Sequence, residues 1–145
     1  MTDHVLTIKL GTPFTEACRM FQTFNLRHLP VIDDDDKLIG MFSLYDAMQA
    51  WNNKVMTHSD LDENKVNELV LVQELMTTNN ILTLDREDEI EKAIAIFSKG
   101  EAHSILILLD NRICGIVTPN DVLRGISIPA SYFKETKIKG AALVK

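Results

Sequence analysis

Two short strings in this 145-residue chain set a glycine, a hydroxyl and a carboxylate at one spacing. They are Gly40-Met41-Phe42-Ser43-Leu44-Tyr45-Asp46 and Gly115-Ile116-Val117-Thr118-Pro119-Asn120-Asp121. Each reads as an apolar strand running into a helix, with Ser43 or Thr118 at the N-cap and Asp46 or Asp121 three residues on. Two chemistries are open to such a string. The hydroxyl and carboxylate can satisfy the helix's own unpaired N–H groups as a capping box, with Pro119 at the favoured first helical position. Alternatively, the N–H groups and positive dipole end can receive a phosphate while the carboxylate accepts the two ribose hydroxyls and the glycine lets a sugar approach the backbone. Both readings use the same residues, and the duplication at one register is what favours looking for the second.

The strings belong to a repeat that runs through the chain. Val5-Leu6-Thr7-Ile8 reappears as Ile81-Leu82-Thr83-Leu84, and Ala17 and Phe21 as Ala93 and Phe97, at an offset of 76. From His28 matched with His103 through Ile32 with Ile107 to Asp46 with Asp121 the offset is 75, which puts a one-residue loss near Ser98-Lys99-Gly100-Glu101. Each copy spells strand, helix, two strands joined by a polar turn, and a second helix, so the fold class is α+β, built of two β-α-β-β-α repeats. Phe14, Ala17, Cys18 and Phe21, then Ile90, Ala93, Ile94 and Phe97, recur three and four apart as one buried helix face. The hairpins are expected over His28–Ile32 with Leu38–Phe42 and over Ser104–Leu109 with Ile113–Val117, turning at Asp33 to Asp36 and at Asp110-Asn111. The expected organisation is a first repeat over 1–52, a linker over 53–69, a second repeat over 70–128 and a tail over 129–145. A helix around Leu61 to Leu75 would turn Val66, Leu69 and Val70 toward a repeat.

Composition narrows the classes. Hydrophobic residues make up 46% and charged residues 25%, the profile of a soluble globular protein, and the apolar run Ser104 to Leu109 is too short to span a bilayer. Fifteen basic against 21 acidic residues give a net charge of −6, which disfavours a nucleic acid backbone as partner. The start lacks the pattern of a secretory signal, and Cys18 and Cys114 are too few for a disulfide framework, so a cytoplasmic location is expected. No metal-ligand spacing links His4, His28, His58 and His103. Four consecutive acids in a hairpin turn point in different directions, so Asp33 to Asp36 are read as solvated and no metal is expected. No nucleophile and base sit within one motif, so no catalytic residue and no enzyme activity are expected.

The strings Arg27-His28-Leu29-Pro30-Val31-Ile32-Asp33, Gly40 to Asp46, Glu74-Leu75-Met76-Thr77 and Gly115 to Asp121 resemble the signatures of the CBS domain, named after cystathionine beta-synthase. The resemblance covers nearly the whole chain as a tandem pair. It implies two repeats packed with pseudo-two-fold symmetry and a regulatory module, sensing energy or metabolite state, that binds an adenine nucleotide (AMP, ADP or ATP) or an adenosyl compound between them. It needs no cofactor beyond that regulatory ligand. In one cleft Thr118 and Asp121 would meet phosphate and ribose, the backbone of Val5 and Leu6 the adenine edge, and Arg27 and His28 the phosphates. In the other, Ser43 and Asp46 would act with Thr77, Ile81, Leu82 and His103, and Met41 and Ile116 would pack on the adenine face. Because Arg27 has no counterpart beside His103 in this alignment, the Thr118 cleft would favour the more highly charged nucleotide. The resemblance also implies a homodimer through the helices, with Met20, Phe24, Met48 and Leu123 as candidate surface groups, and a regulated protein partner. The reading that competes with it is a protein interaction or scaffold module in which the same residues only cap helices.

Overall fold

A computed structural model of the chain describes residues 5–126, so His4 and the tail expected over 129–145, with Tyr132 and Phe133, lie outside the described residues. Those described fall into two compact units, one spanning Leu6–Ile81 and the other joining Val5 to the residues from Leu82 onward.

In the first unit, β1 (Ile8–Lys9) leads through α1 (Phe14–Phe24) to β2 (His28–Ile32), which lies parallel to β1, and β3 (Leu38–Ser43) returns antiparallel to β2. The turn between β2 and β3 is held by Asp33, whose carboxylate accepts the backbone N–H groups of Asp35 and Lys37 at 2.9 Å each. A single residue separates neither strand from helix at the far end, so α2 (Leu44–Ala50) starts directly from β3. It continues into a π-helical turn over Trp51–Val55, closed by the Met56 N–H donating to the Trp51 carbonyl at 2.9 Å. That turn brings the Trp51 ring onto Phe14, with centroids 6.5 Å apart, while Phe42 meets both Phe14 and Phe21. The three phenylalanine rings, with Leu29 and Val31, fill the core between α1, α2 and the sheet, and Trp51 covers Phe14 from the exposed side.

The span expected as linker is helical in part and reaches this core. α3 (Glu63–Leu69) and α4 (Val72–Leu75) replace the single expected helix, because Val70 and Leu71 adopt extended backbone between them. Val55, Val66, Val70 and Val72 are buried with the first core, whereas Leu69, expected on the same face, is exposed. A polar clasp fixes α3 to α1. The Thr15 N–H donates to Asn67 Oδ1 and Asn67 Nδ2 donates to Thr15 Oγ1, both at 2.9 Å. Thr15 Oγ1 donates in turn to Glu63, which also pairs with Arg19. Hydrogen bonds from Arg19 and Thr15 hold the Glu63 carboxyl below the usual carboxylate range. Its contribution is therefore present above the unfolded-state value and is lost as the pH falls through the lowered one. Beyond α4, Thr77 lies along β3, exchanging backbone hydrogen bonds with Met41 at 2.8 Å in both directions. Gly40 leaves room for this segment, since a Cβ there would sit 2.4 Å from Met76 Sδ.

The second unit repeats the plan. β4 (Thr83–Asp85) is parallel to β5 (Ile105–Leu109), joined to it through α5 (Ile90–Ser98), and β6 (Arg112–Val117) returns antiparallel before α6 (Pro119–Ile126). Asp110 and Asn111 both take positive φ, 52° and 63°, the geometry of a two-residue hairpin turn matched to strand twist. The core is smaller and aliphatic: Ala93, Ile105, Ile107, Val117 and Val122 are buried, with Ile90 and Phe97 packed against them. Ile94, expected on the buried face of α5, is exposed and Ile96 packs inward instead.

The ladders correct the repeat alignment. Leu29 pairs with Phe42 and Val31 with Gly40, whereas Ile105 pairs with Val117 and Ile107 with Gly115. Leu29 therefore corresponds to Ile105 at an offset of 76, and the residue lost from the second copy comes out of the hairpin turn, not the loop after α5. His103 consequently corresponds to Arg27 and Ser104 to His28; the apparent pairing of the two histidines is a coincidence one residue out of register. The first strands are also displaced from expectation, because Val5 to Thr7 and Leu82 lie outside the ladders that define β1 and β4.

The aromatic core of the first unit sets a measurable expectation. Phe42 is fully buried and touches two rings, so Phe42→Ala should cost about 3–5 kcal/mol. Urea unfolding followed by Trp51 fluorescence measures it, and a loss below 1 kcal/mol would contradict this packing.

Candidate functional site

Both glycine-to-aspartate strings sit at a strand-to-helix junction, and in both the side chains turn back on the helix. Ser43 is the N-cap of α2. Its Oγ accepts the Asp46 N–H at 3.0 Å, and Asp46 Oδ2 accepts the Ser43 N–H at 3.3 Å, a complete capping box. The register places His28 directly across the ladder from Ser43, and the Leu44 N–H donates to the Arg27 carbonyl at 2.8 Å. Arg27, His28, Met41, Ser43, Asp46 and Thr77 are thus brought to one end of the first sheet. Ile81 ends the same unit and Leu6 begins it. Arg27 and Thr77 are exposed and Ser43, Asp46, His28 and Met41 are half-buried, so polar groups there are within reach of solvent.

The second junction is built more tightly. Asp121 Oδ2 accepts both the Thr118 N–H at 2.9 Å and the Thr118 hydroxyl at 3.0 Å, while the Asp121 N–H points at Thr118 Oγ1 from 3.4 Å. Arg124, one turn on, donates to Asp121 Oδ1 at 2.6 Å. Both carboxylate oxygens of Asp121 are therefore engaged, whereas Oδ1 of Asp46 has no partner among the described residues. The cause is a single replacement: the residue matching Arg124 is Gln49, whose side-chain amide donates to the Tyr45 hydroxyl at 3.1 Å instead. Pro119, matching Leu44, has no N–H and cannot make the bond that Leu44 gives to Arg27. Val5, Leu82, His103 and Ile116 lie in this second unit. His103 is exposed and Val5 and Leu82 are half-buried, but Ile116 is buried, paired across the ladder with the equally buried Leu106.

Burial pushes the Cys18 thiol up to about 11 and also raises Cys114. No group of three or more His, Cys, Asp or Glu able to hold a metal occurs among the described residues, where no helix is long and apolar enough to cross a membrane either. What the junctions can do chemically is offer carboxylate and hydroxyl acceptors beside helix N–H groups, the complement of a polyol or of an anion.

Comparison with known proteins follows the same lines. The CBS domain family model matches residues 1–53 and 72–128. Homoserine O-acetyltransferase of Methanohalobium evestigatum is 27% identical over 125 residues, covering 86% of this chain and 22% of the relative. L-aspartate semialdehyde sulfurtransferase of Methanocaldococcus jannaschii is 27% identical over 120 residues, 82% of this chain and 21% of the relative. The chain thus spans only a part, between 21% and 40%, of the curated relatives it matches. Among solved structures, the CBS domain pair of protein MJ0100 in complex with 5′-methylthioadenosine and S-adenosyl-L-methionine has a TM-score of 0.64 at 24% identity, covering 84% of this chain and 87% of that one. An uncharacterized conserved protein from Pyrococcus horikoshii has a TM-score of 0.62 at 26% identity, with 89% of both chains covered.

The different cap geometries should be visible in stability. Asp121→Ala removes the acceptor of three bonds and Asp46→Ala that of one, so the first should be the costlier, each within about 1–2 kcal/mol. Matched urea titrations of the two variants test this, and equal or reversed losses would contradict the arrangement described.

Proposed function

The chain belongs to the CBS domain family, and from that premise we propose that it is a regulatory module binding an adenine nucleotide or adenosyl compound. The observation that carries the reading is the duplicated junction: twice, a glycine-bearing strand delivers a hydroxyl and a carboxylate to a helix start at the same spacing. The complex of MJ0100 with two adenosine-containing ligands supports the ligand class. On this reading Asp46 keeps its cap through Oδ2 and offers Oδ1 to a ribose hydroxyl, with Thr77, Ile81, Leu82 and His103 as further contacts. Asp121 must first exchange the Arg124 contact for the ribose. Arg124 is largely exposed whereas Asp121 is nearly covered, so the exchange turns the guanidinium toward phosphate while ribose takes its place on the carboxylate. Thr118, the backbone of Val5 and Leu6, and Arg27 and His28 complete that second set, and half-buried Met41 supplies apolar contact to adenine, a role that the burial of Ile116 beside Leu106 disfavours for its counterpart. Occupancy would act on a regulated partner by shifting an existing equilibrium through differential affinity.

Calorimetric titration of the full chain with AMP, ADP, ATP, NAD and S-adenosylmethionine tests this, beside Asp46→Ala and Asp121→Ala. Saturable binding that one variant loses is expected, with the more charged nucleotides depending on Asp121. Absence of binding to all five, with the fold intact, would favour the interaction-module reading, for which the closed caps at Ser43 and Thr118 already speak.

The same reading includes pairing of two copies through their helices. Phe24 on α1, Met48 on α2 and Leu123 on α6 are 44%, 57% and 64% exposed, whereas Met20 packs against the first core. Sedimentation velocity should give a dimer that Met48→Glu weakens at least tenfold; a monomer at all concentrations would remove this part of the proposal.

A further inference from the structure

The aspartates of the two junctions are spaced alike but are kept by different residues. At the offset of 75, Gln49 occupies in the first unit the place that Arg124 holds in the second, one turn beyond the carboxylate. Arg124 donates to Asp121 Oδ1 at 2.6 Å, and its side chain is 74% exposed against 11% for Asp121. The second carboxylate is thus engaged on one oxygen by Thr118, as part of the helix cap, and on the other by a cation that faces solvent. Gln49 leaves the first carboxylate alone. Its amide donates to the Tyr45 hydroxyl at 3.1 Å, and Asp46 Oδ1 has no partner among the described residues.

An incoming ribose meets different terms at the two aspartates. At Asp46 a sugar hydroxyl displaces only solvent from Oδ1. At Asp121 it displaces a charge-assisted bond from a guanidinium and returns a weaker one from a neutral hydroxyl, so an uncharged nucleoside gains less there. A phosphate on the same ligand restores what the exchange removes. The displaced guanidinium acquires a new anionic partner, which its planar fork can grip with two N–H groups, and the long, exposed Arg124 side chain can turn to meet it.

Resting on the ligand-binding reading above, we propose that Arg124 is the specificity-determining residue of the second junction. It selects an adenosyl ligand that bears phosphate over an uncharged one, while Gln49 leaves the first junction open to the uncharged kind.

Calorimetric titration of the full chain with AMP and adenosine, which differ only by the phosphate, tests this. In the Asp46→Ala background, where the second junction is read alone, AMP should bind about tenfold more tightly than adenosine or better. Arg124→Gln, which copies the first junction, should lower that ratio by about tenfold, with AMP weakened and adenosine unchanged or strengthened. Arg124→Lys, a cation without the two-pronged grip, should retain part of the preference. In the Asp121→Ala background, Gln49→Arg should create a preference for AMP at the first junction. Gln49 and Arg124 are both exposed, so these substitutions keep the fold. A ratio that Arg124→Gln leaves unchanged, or a loss of both ligands in equal proportion, would overturn the proposal and leave the ligand-binding reading standing. So would binding by the wild-type chain that Asp46→Ala abolishes for both ligands. Failure of the wild-type chain to bind either would remove the reading itself, and this proposal with it.

Discussion

A helix that begins directly at the end of a β-strand has four N–H groups to satisfy and no loop to help it. At both junctions one hydroxyl and one carboxylate meet part of this constraint, and the rest is met differently: the Arg27 carbonyl takes the Leu44 N–H at α2, while Pro119 removes one donor at α6. The glycine three residues before the cap keeps the strand thin there, so Met76 can lie against Gly40 and Thr77 can pair with Met41. The antiparallel partner sets His28 beside Ser43, and the Arg27 carbonyl takes up the Leu44 N–H. Any ligand at such a junction competes with the helix for the same groups. A functional reading has therefore to say which acceptors remain once the helix is capped.

That question separates the two copies. Asp46 caps with one oxygen and keeps the other, while Asp121 spends one on Thr118 and the other on Arg124. The geometry of the cap is inherited by both copies, but its availability is set a turn further on, by Gln49 in one and Arg124 in the other. The cores diverge in the same manner. Phe14 and Phe42 become Ile90 and Val117, so an aromatic core gives way to a smaller aliphatic one with fewer dispersion contacts. Two sequences written on one plan thus differ less in topology than in how each junction is capped and each core is filled.

The periodic features were legible from the sequence because they arise from burial. Helical spacing of Phe14, Ala17 and Phe21, alternation into the hairpins, and Ser or Thr followed three residues later by Asp all report local physics that the fold keeps. The one-residue shift between repeats is masked by the chance match of His28 with His103; it falls in the turn, where added or lost residues disturb no ladder, and the pairing of Val31 with Gly40 and of Ile107 with Gly115 fixes the register. The apolarity of Ile94 suggests an inward position, yet α5 needs only one stripe buried and Ile96 occupies it with Ala93 and Phe97. The span 53–69 reads as linker because it is polar, and within it Val55 and Val66 reach the core one at a time, as do Val70 and Val72 just beyond it. The role of Arg124 carried no motif, since an arginine three residues after an aspartate on a helix is ordinarily a surface pair.

The corrected register changes what the second junction can contribute. Matching Arg27 with His103, and His28 with Ser104, means that the second copy replaces a guanidinium by an imidazole ring and a ring by a hydroxyl, so it lacks the permanent cation that the first copy carries at this position. Arg124 returns a cation to that copy, but on the helix, tied to the carboxylate that a ribose would need. Charge and acceptor are therefore coupled in the second junction and independent in the first. On the proposed reading, a ligand bearing phosphate would resolve the coupling by drawing Arg124 away from Asp121, whereas an uncharged adenosyl group would not, and discrimination between the two would then reside in the Arg124–Asp121 pair.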